Sequence, residues 1–266
     1  MSTQSEIPAG SADLARELAE VAGALQMQHL RGALDVGSKS TAVDMVTEID
    51  KKCEELITSG ILDAFPSHAI LGEEEGRVSG ESEYLWVIDP LDGTTNYVHG
   101  LPIFASSIAL LHRGRAVVGA VNVAPLQTTY TAVRDGGALR NGCVISVADH
   151  TRLDECIVGT GVPYDRAESS ENNIGYITRI TPQVRGLRRL GAAAYDLCLV
   201  ADGIYDAYWE LKVSLWDIAA GALIAEEAGA VVRYGERAEK YNVVAASPGI
   251  YPTLCRELNS VGDQFK

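Results

Sequence analysis

The chain has 266 residues, of which 47% are hydrophobic, enough for a buried core in one large domain or two small ones. It carries 36 acidic and 22 basic residues, a net charge of −14, and no basic block that could neutralise a row of nucleic-acid phosphates. The composition therefore argues against a nucleic-acid partner. To bind an anionic substrate, such a chain would need either a local concentration of positive charge or bound metal cations.

The five cysteines are odd in number, widely spread and without a C-x-x-C pair, which is typical of buried, unpaired thiols in a reducing cytosol. The first residues show no basic segment followed by an apolar one, and no later run approaches the ~18 apolar residues that span a bilayer. We therefore expect a cytoplasmic protein without a membrane partner. Residues 1–10 are expected to form a loose leader, and residues 1–266 a single domain.

The first part of the chain shows helical periodicity. Apolar residues at helical spacing predict an amphipathic helix over residues 11–31, and a Gly/Ser/Lys-rich stretch at 35–44 then breaks the pattern. A second helix is expected from about 48 to 64, because Thr47 with Asp50 three residues later is a capping-box signature.

Strands dominate from residue 68 to residue 147. The β-rich segments, each bounded by turn residues, are HAIL, YLWVID, IFASSIALL, AVVGAVNVA and TTYTAV. The second half alternates, with strands expected near 156–160, 184–189 and 205–211 and helices near 168–180, 191–202, 215–228 and 248–259. This order predicts layered α and β structure in one unit.

The stretch 86-WVIDPLDGTTNYVHG-100 places two aspartates three residues apart behind an apolar strand. Pro90 favours extended backbone at Asp89, and Gly93 permits a tight turn. Asp89 and Asp92 are therefore expected in the loop beyond the strand, at its mouth.

The residues around these aspartates favour a metal and phosphate site. Thr94 or Thr95 could cap a short helix whose N–H groups attract an anion, and paired carboxylates suit a divalent cation lying between carboxylate and phosphate. Asp89 and Asp92 could also be ordinary turn formers. An EF-hand beginning at Asp89 fails because Leu91 would occupy a ligand position, and the D-x-D-G-T phosphatase motif spaces its aspartates by two instead of three.

Further acidic residues are candidates for the same site. The segment 70-ILGEEEG-76 ends a short apolar strand with three glutamates beginning at Glu73, and solvent or a cation would relieve their mutual repulsion. Asp50 and Asp217 fall in the first turns of predicted helices, where capping explains them without a metal. Because a carboxylate can cap a helix and still face a metal, both interpretations stay open.

Together these segments resemble the inositol monophosphatase family, within the metal-dependent, lithium-sensitive phosphatases. The matching segments, in family order, are 44-DMVTEID-50, 71-LGEEEG-76, 86-WVIDPLDGTTNYVHGLP-102, 190-LGAAAYDLCLVADGIYDAYWE-210 and 214-SLWDIAAGALIAEEAG-229. The resemblance implies an α+β fold, a layered αβαβα sandwich of the inositol monophosphatase / fructose-1,6-bisphosphatase type, usually as a homodimer. The segment 159-GTGVPYD-165, with Arg189, looks more like bacterial members.

The resemblance also implies a metal site with two or three Mg²⁺ ions. The implied ligands are Glu73, Asp89, Asp92, Asp217 and the carbonyl of Leu91. One metal, held by Glu73 and Asp89, would lower the pKa of a bound water, and a second would stabilise the departing alkoxide. Thr94 would orient the attacking water and Asp50 would accept its hydrogen bond or proton, so that Asp50, Thr94 and Glu73 are the implied catalytic residues.

The implied substrate is a small phosphorylated alcohol, and the resemblance favours inositol 1-phosphate. The implied substrate contacts are Gly93, Thr94, Thr95, Ala194, Arg189 and Glu210. Glu210 would accept hydrogen bonds from ring hydroxyls, since an ionised carboxylate only accepts. Histidinol phosphate, fructose 1,6-bisphosphate and 3′-phosphoadenosine phosphate stay open as substrates of the same metal site, and a non-catalytic binding protein is the alternative of another class.

Overall fold

The computed structural model describes residues 7–32, 36–38, 45–78, 82–237 and 239–265. The helices in these ranges are α1 (Ser11–His29), α2 (Glu48–Ala64), α3 (Thr94–Val98), α4 (Ile174–Ile180), α5 (Ala193–Ala201), α6 (Leu215–Glu227) and α7 (Tyr251–Asn259). The strands are β1 (Val36–Ser38), β2 (Met45–Thr47), β3 (Ala69–Gly72), β4 (Gly76–Val78), β5 (Tyr84–Asp92), β6 (Ala105–His112), β7 (Arg115–Val123), β8 (Thr128–Val133), β9 (Ala138–Arg140), β10 (Cys143–Val144), β11 (Ile157–Thr160), β12 (Gly186–Arg188), β13 (Ala207–Val213), β14 (Val231–Arg237) and β15 (Lys240–Ala246).

Two large sheets and three helical layers make up the fold. Eight strands pair in the order β10-β9-β8-β7-β6-β5-β3-β4, and five in the order β12-β11-β13-β15-β14. Helices α1 and α2 cover one face of the eight-stranded sheet, α5 and α6 lie between the sheets, and α4 and α7 cover the outer face of the five-stranded sheet. The predicted αβαβα layering is confirmed.

Helix α2 forms where its sequence pattern predicts it. Its apolar buried side chains recur every four residues: Ile49, Cys53, Ile57 and Ile61. The capping box is present, since the main-chain N–H of Thr47 donates to Oδ2 of Asp50 over 2.9 Å and Thr47 Oγ1 accepts from Ile49 N at 3.1 Å. The cap fixes the start of α2 and places Asp50 in its first turn.

Helices α5 and α6 are apolar on nearly all sides because a sheet lies on each side of them. Gly221 of α6 lets them approach closely, since a Cβ at this position would lie 2.8 Å from Leu197 Cβ and 3.0 Å from Ala194 O of α5. Residues at the start of each helix, Ala193 and Asp217, line one cavity.

Two helices in the second half begin three or more residues later than the sequence predicts. The helix expected over 168–180 begins only at Ile174. The side chain of Asn173 donates to Oγ1 of Thr160 at 2.8 Å and to Gly161 O, so it holds the preceding loop against β11. The last helix begins at Tyr251, three residues later than its expected start at 248.

The remaining expectations have mixed outcomes. All five cysteines are unpaired, but Cys143 is exposed and Cys255 half-buried, so the expectation of burial is wrong for these two. Of the 35–44 stretch only β1 is described, paired with β2, and most of the expected leader lies outside the described residues. None of the helices that the described ranges contain has the length and apolar character needed to cross a membrane.

Candidate active site

A cavity of about 340 Å³ opens where the end of β5 meets the N-termini of α5 and α6. The predicted site residues that line it are Glu73, Asp89, Leu91, Asp92, Gly93, Thr94, Arg189, Glu210 and Asp217. Asp50, Thr95 and Ala194 were also predicted but do not line the cavity. Ala193, the neighbour of Ala194, does.

The end of β5 is irregular, and the expectation that its aspartates follow the strand is wrong. The strand continues to Asp92, and its pairing with β6 shifts register between Asp89 and Asp92. Pro90 has no N–H for the ladder, and its carbonyl accepts from the Gln26 amide at 2.7 Å and the Ser106 hydroxyl at 3.1 Å. The bulge brings both aspartates to the cavity.

Glu73 reaches the same place from the neighbouring strand. Strands β3 and β5 are parallel, with Gly72 opposite Ile88, so the residues after this pair lie side by side. The main-chain N–H of Glu73 donates to Ile88 O over 3.2 Å. Glu73 and Asp89 therefore face each other at the end of two adjacent strands.

Asp92 joins β5 to helix α5. Its carboxylate accepts the main-chain N–H of Ala193 at 3.2 Å and of Ala194 at 2.8 Å, so it occupies the helix N-terminus. Burial raises the pKa of Asp92 to about 7, the two N–H groups oppose this rise, and the carboxylates of Glu73 and Glu210 add to it.

The other carboxylates of the cavity repel one another. Burial raises the pKa of Asp89 well above its usual range, and the charges of Glu73, Asp92 and Asp217 raise it further. Burial likewise raises the pKa of Asp217, with Glu73 and Asp92 adding to the rise and the Ser214 N–H opposing it. Without a cation, ionisation of all these neighbouring carboxylates together is unfavourable.

This donor set fits a hard cation. Its side-chain donors are all carboxylate oxygens, the ligands that Mg²⁺ prefers. Within the described ranges, no three His, Cys, Asp or Glu side chains are already arranged to hold a metal ion. Asp89 and Asp217 each accept one main-chain N–H, that of Leu91 at 3.0 Å and that of Ser214 at 2.6 Å, and an ionised carboxylate has two oxygens that can accept or ligate.

Asp50 lies beneath the cavity, fully buried on α2. Oγ1 of Thr94 lies 3.0 Å from Asp50 Oδ1 and 3.0 Å from Leu91 O. Asp50 thus caps its own helix and also contacts a cavity residue. The sequence suggested Thr94 or Thr95 as the cap of α3, but neither residue caps it. The N-cap is Gly93, in the left-handed conformation with φ 90°.

Glu210 lies on the opposite side of the cavity from β5, on β13. The hydroxyl of Tyr208 donates to its carboxylate. Burial raises the pKa of Glu210, while the Tyr208 hydrogen bond and the charge of Arg189 oppose the rise. A Cβ on Gly161 would overlap the Glu210 carboxylate, so this glycine lets the 161–165 loop lie against it.

Two lysines that line the cavity, Lys212 and Lys240, were not among the site residues predicted from the sequence. Nζ of Lys212 donates to Oδ2 of Asp165 at 2.7 Å and to Oγ of Ser169 at 2.8 Å, and so holds the loop to β13. Lys240 Nζ donates to Oγ of Ser214 at 2.6 Å. No motif marks either lysine, because the pairing of β13 with β15 brings them to the cavity.

Comparison with known proteins identifies the family. The sequence model described as the inositol monophosphatase family matches residues 11–262. The chain is 40% identical to the Nus factor SuhB of Pseudomonas aeruginosa, covering 91% of this chain and 93% of that protein. It is 42% identical to the inositol-1-monophosphatase of Mesorhizobium japonicum over 71% of each. The solved inositol monophosphatase from Anabaena superposes with a TM-score of 0.86 at 37% identity, covering 94% of this chain and 95% of that one. The chain therefore belongs to the inositol monophosphatase family of metal-dependent phosphatases.

Proposed function

We propose that this protein is a Mg²⁺-dependent phosphomonoesterase that hydrolyses inositol 1-phosphate to inositol and phosphate by direct attack of water. The observation that carries the proposal is one cavity in which two buried aspartates of β5 meet half-buried acidic side chains from α6 and the end of β3, beside a threonine hydroxyl bonded to a buried aspartate. An anionic substrate would be repelled by this cavity unless cations lay between them. We also propose lithium inhibition and a homodimer, both on the basis of the family.

The bound cations would supply charge neutralisation. Two or three Mg²⁺ ions would lower the pKa of a water molecule and offset the charge on the phosphate and the leaving oxygen. The residues that would hold them are Glu73, Asp89, Asp92, Asp217 and the carbonyl of Leu91.

The chain's own groups would orient the water. Thr94 lines the cavity, and its hydroxyl lies within hydrogen-bonding distance of Asp50, so the Thr94 oxygen can accept a hydrogen bond from water while its proton is directed at the carboxylate. The second oxygen of Asp50 already accepts the N–H of Thr47, which fixes the carboxylate in this orientation. Gly93 and Thr94 would present N–H groups to the phosphate oxygens.

The opposite wall would bind the leaving alcohol. Glu210 is half-buried and oriented by the Tyr208 hydroxyl, and its lone pairs can accept hydrogen bonds from ring hydroxyls of inositol. Arg189 lines the same wall and carries the opposite charge. Ala193 leaves room for a ring near the start of α5.

The test is a phosphate-release assay on four substrates with and without Mg²⁺. We expect release to require Mg²⁺ and kcat/KM to be highest for inositol 1-phosphate among this ester, histidinol phosphate, fructose 1,6-bisphosphate and 3′-phosphoadenosine phosphate. Undiminished release after chelation with EDTA would contradict metal dependence. A higher kcat/KM on another ester would move the assignment to that substrate class.

A second candidate function comes from the Pseudomonas aeruginosa relative, which is named a Nus factor and is 40% identical to this chain. We propose the role in that name as the second candidate function of this chain, of the binding class instead of the catalytic one. Expression of the wild-type chain and of Asp92→Asn in a Pseudomonas strain that lacks the relative tests this. Restored growth with both proteins supports a non-catalytic role, whereas restoration by the wild type alone ties the role to catalysis.

A further inference from the structure

Helix α2 contacts the site through two acidic residues one helical turn apart. Asp50 and Glu54 are both buried, at 0% and 1% exposure. Residues four apart share one face of a helix, so both carboxylates face the end of the eight-stranded sheet. Asp50 reaches Thr94 there, but neither Asp50 nor Glu54 lines the cavity itself.

Glu54 binds the turn between β3 and β4 through the main chain. Its Oε2 accepts the N–H of Glu74 at 2.9 Å and its Oε1 accepts the N–H of Glu75 at 2.8 Å. A Cβ on Gly72 would overlap this carboxylate, so the glycine permits the close approach. Hydrogen bonds from N–H groups to an ionised carboxylate are shorter and stronger than those between neutral groups.

The same turn carries Glu73, which lines the cavity. The N–H of Glu73 is held by Ile88 O of β5 at 3.2 Å, and the next two N–H groups are held by Glu54. The main chain on both sides of the Glu73 side chain is therefore fixed. Three consecutive glutamates would otherwise repel one another and favour a more open turn.

We propose that Glu54 is a positioning residue that holds the 73–75 turn so that the carboxylate of Glu73 is presented to a bound metal. The inference rests on the proposed function, because it requires Glu73 to be a metal ligand. It assigns α2 two roles, since one turn of this helix holds the Thr94 hydroxyl through Asp50 and the next holds the Glu73 turn through Glu54.

The test is Mg²⁺ binding to Glu54→Gln, measured by calorimetry without substrate. The amide matches the carboxylate in size, but one N–H of the turn then faces an NH₂ group. We expect Mg²⁺ to bind about 10- to 100-fold more weakly, as is usual when a partner of a metal ligand is lost. The kcat at saturating Mg²⁺ should stay close to that of the wild type, and the Glu74 and Glu75 amides should exchange hydrogen faster in metal-free protein.

The matched control is Glu55→Gln, which makes the same change at an exposed position on the same helix and should leave binding and exchange unchanged. Wild-type Mg²⁺ affinity in Glu54→Gln would overturn the role of Glu54 alone, whereas absence of Mg²⁺ binding in the wild type would overturn the proposed function as well.

If Glu54→Gln does not fold, Glu54→Asp tests the proposal by the same two measurements, Mg²⁺ affinity and amide hydrogen exchange. It keeps the charge but withdraws the carboxylate by one methylene, so weaker binding with faster exchange supports the proposal and wild-type values overturn it.

Discussion

The hydroxyl of Thr94 lies 3.0 Å from Oδ1 of Asp50, although 44 residues separate the two in sequence. Asp50 is fully buried, and its other oxygen accepts the Thr47 N–H at 2.9 Å. The contact joins the end of β5 to the first turn of α2 and leaves Thr94 on the cavity wall. A substitution that removes this hydroxyl should therefore act differently from one that keeps it.

Thr94→Ala should lower kcat roughly 100-fold with little change in KM, because the hydroxyl acts mainly in the transition state. Thr94→Ser keeps the hydroxyl and should retain most of kcat. Initial rates on inositol 1-phosphate at saturating Mg²⁺ measure both variants. An unchanged kcat in Thr94→Ala would remove this residue from the mechanism.

Asp92→Asn should abolish Mg²⁺-dependent turnover while the protein stays folded. The neutral amide is a poor metal ligand, and it loses one of the two hydrogen bonds to the start of α5. Relief of repulsion among the buried carboxylates opposes that loss, so we expect the melting temperature to change by less than ~4 °C, the shift for about 1 kcal/mol in a chain of this size. Asp63→Asn, at an exposed position on α2, is the control. Substantial turnover by Asp92→Asn would exclude Asp92 as an essential ligand.

Glu210→Gln should lower kcat/KM on inositol 1-phosphate about 10- to 100-fold, since a charge-assisted hydrogen bond worth ~1.5–3 kcal/mol is weakened. Turnover of p-nitrophenyl phosphate, which has no ring hydroxyls, should be nearly unchanged. The ratio of the two kcat/KM values is the measurement. Equal losses on both substrates would mean that Glu210 supports the metal site or the fold instead.

Lys212→Gly should be more stable than Lys212→Ala by about 1 kcal/mol. Lys212 has a φ of 59°, a left-handed conformation that costs a residue with a Cβ ~1–2 kcal/mol and glycine almost nothing. Both variants lose the ion pair with Asp165, so the comparison isolates the backbone. Urea unfolding measures the difference. An alanine variant as stable as the glycine variant would show that the position is unstrained.

The stabilisation from His150 should depend on pH. Its Nδ1 lies 2.7 Å from Oδ1 of Asp206, and the hydrogen bond and charge of this carboxylate raise the pKa of His150 above its usual 6.5. Because the folded state has the higher pKa, the stabilisation is fully present below about pH 6.5 and is lost as the pH rises through the folded-state pKa. The difference in melting temperature between wild type and His150→Gln should therefore be larger at about pH 5.5 than at about pH 9. Equal differences at the two pH values would contradict this assignment.

The sequence by itself determined the features that depend on near neighbours. The capping box of Thr47 with Asp50 spans three residues, so its pattern is visible in the chain and it predicted the start of α2 correctly. The same holds for Ser214 with Asp217 at the start of α6. The prediction that a helix begins near 168 was wrong, because the side chain of Asn173 donates a hydrogen bond to Thr160, which is 13 residues away.

Only the tertiary structure decided which distant residues meet at the cavity. Asp92 accepts the N–H groups of α5 from about 100 residues away, and Glu54 holds a turn about 20 residues further along the chain. Lys212 and Lys240 reach one wall because β13 pairs with β15. Such contacts depend on how whole strands pair and how helices pack. The periodicity of side chains along the sequence shows which face of an element is buried, but it does not show which distant group lies opposite that face.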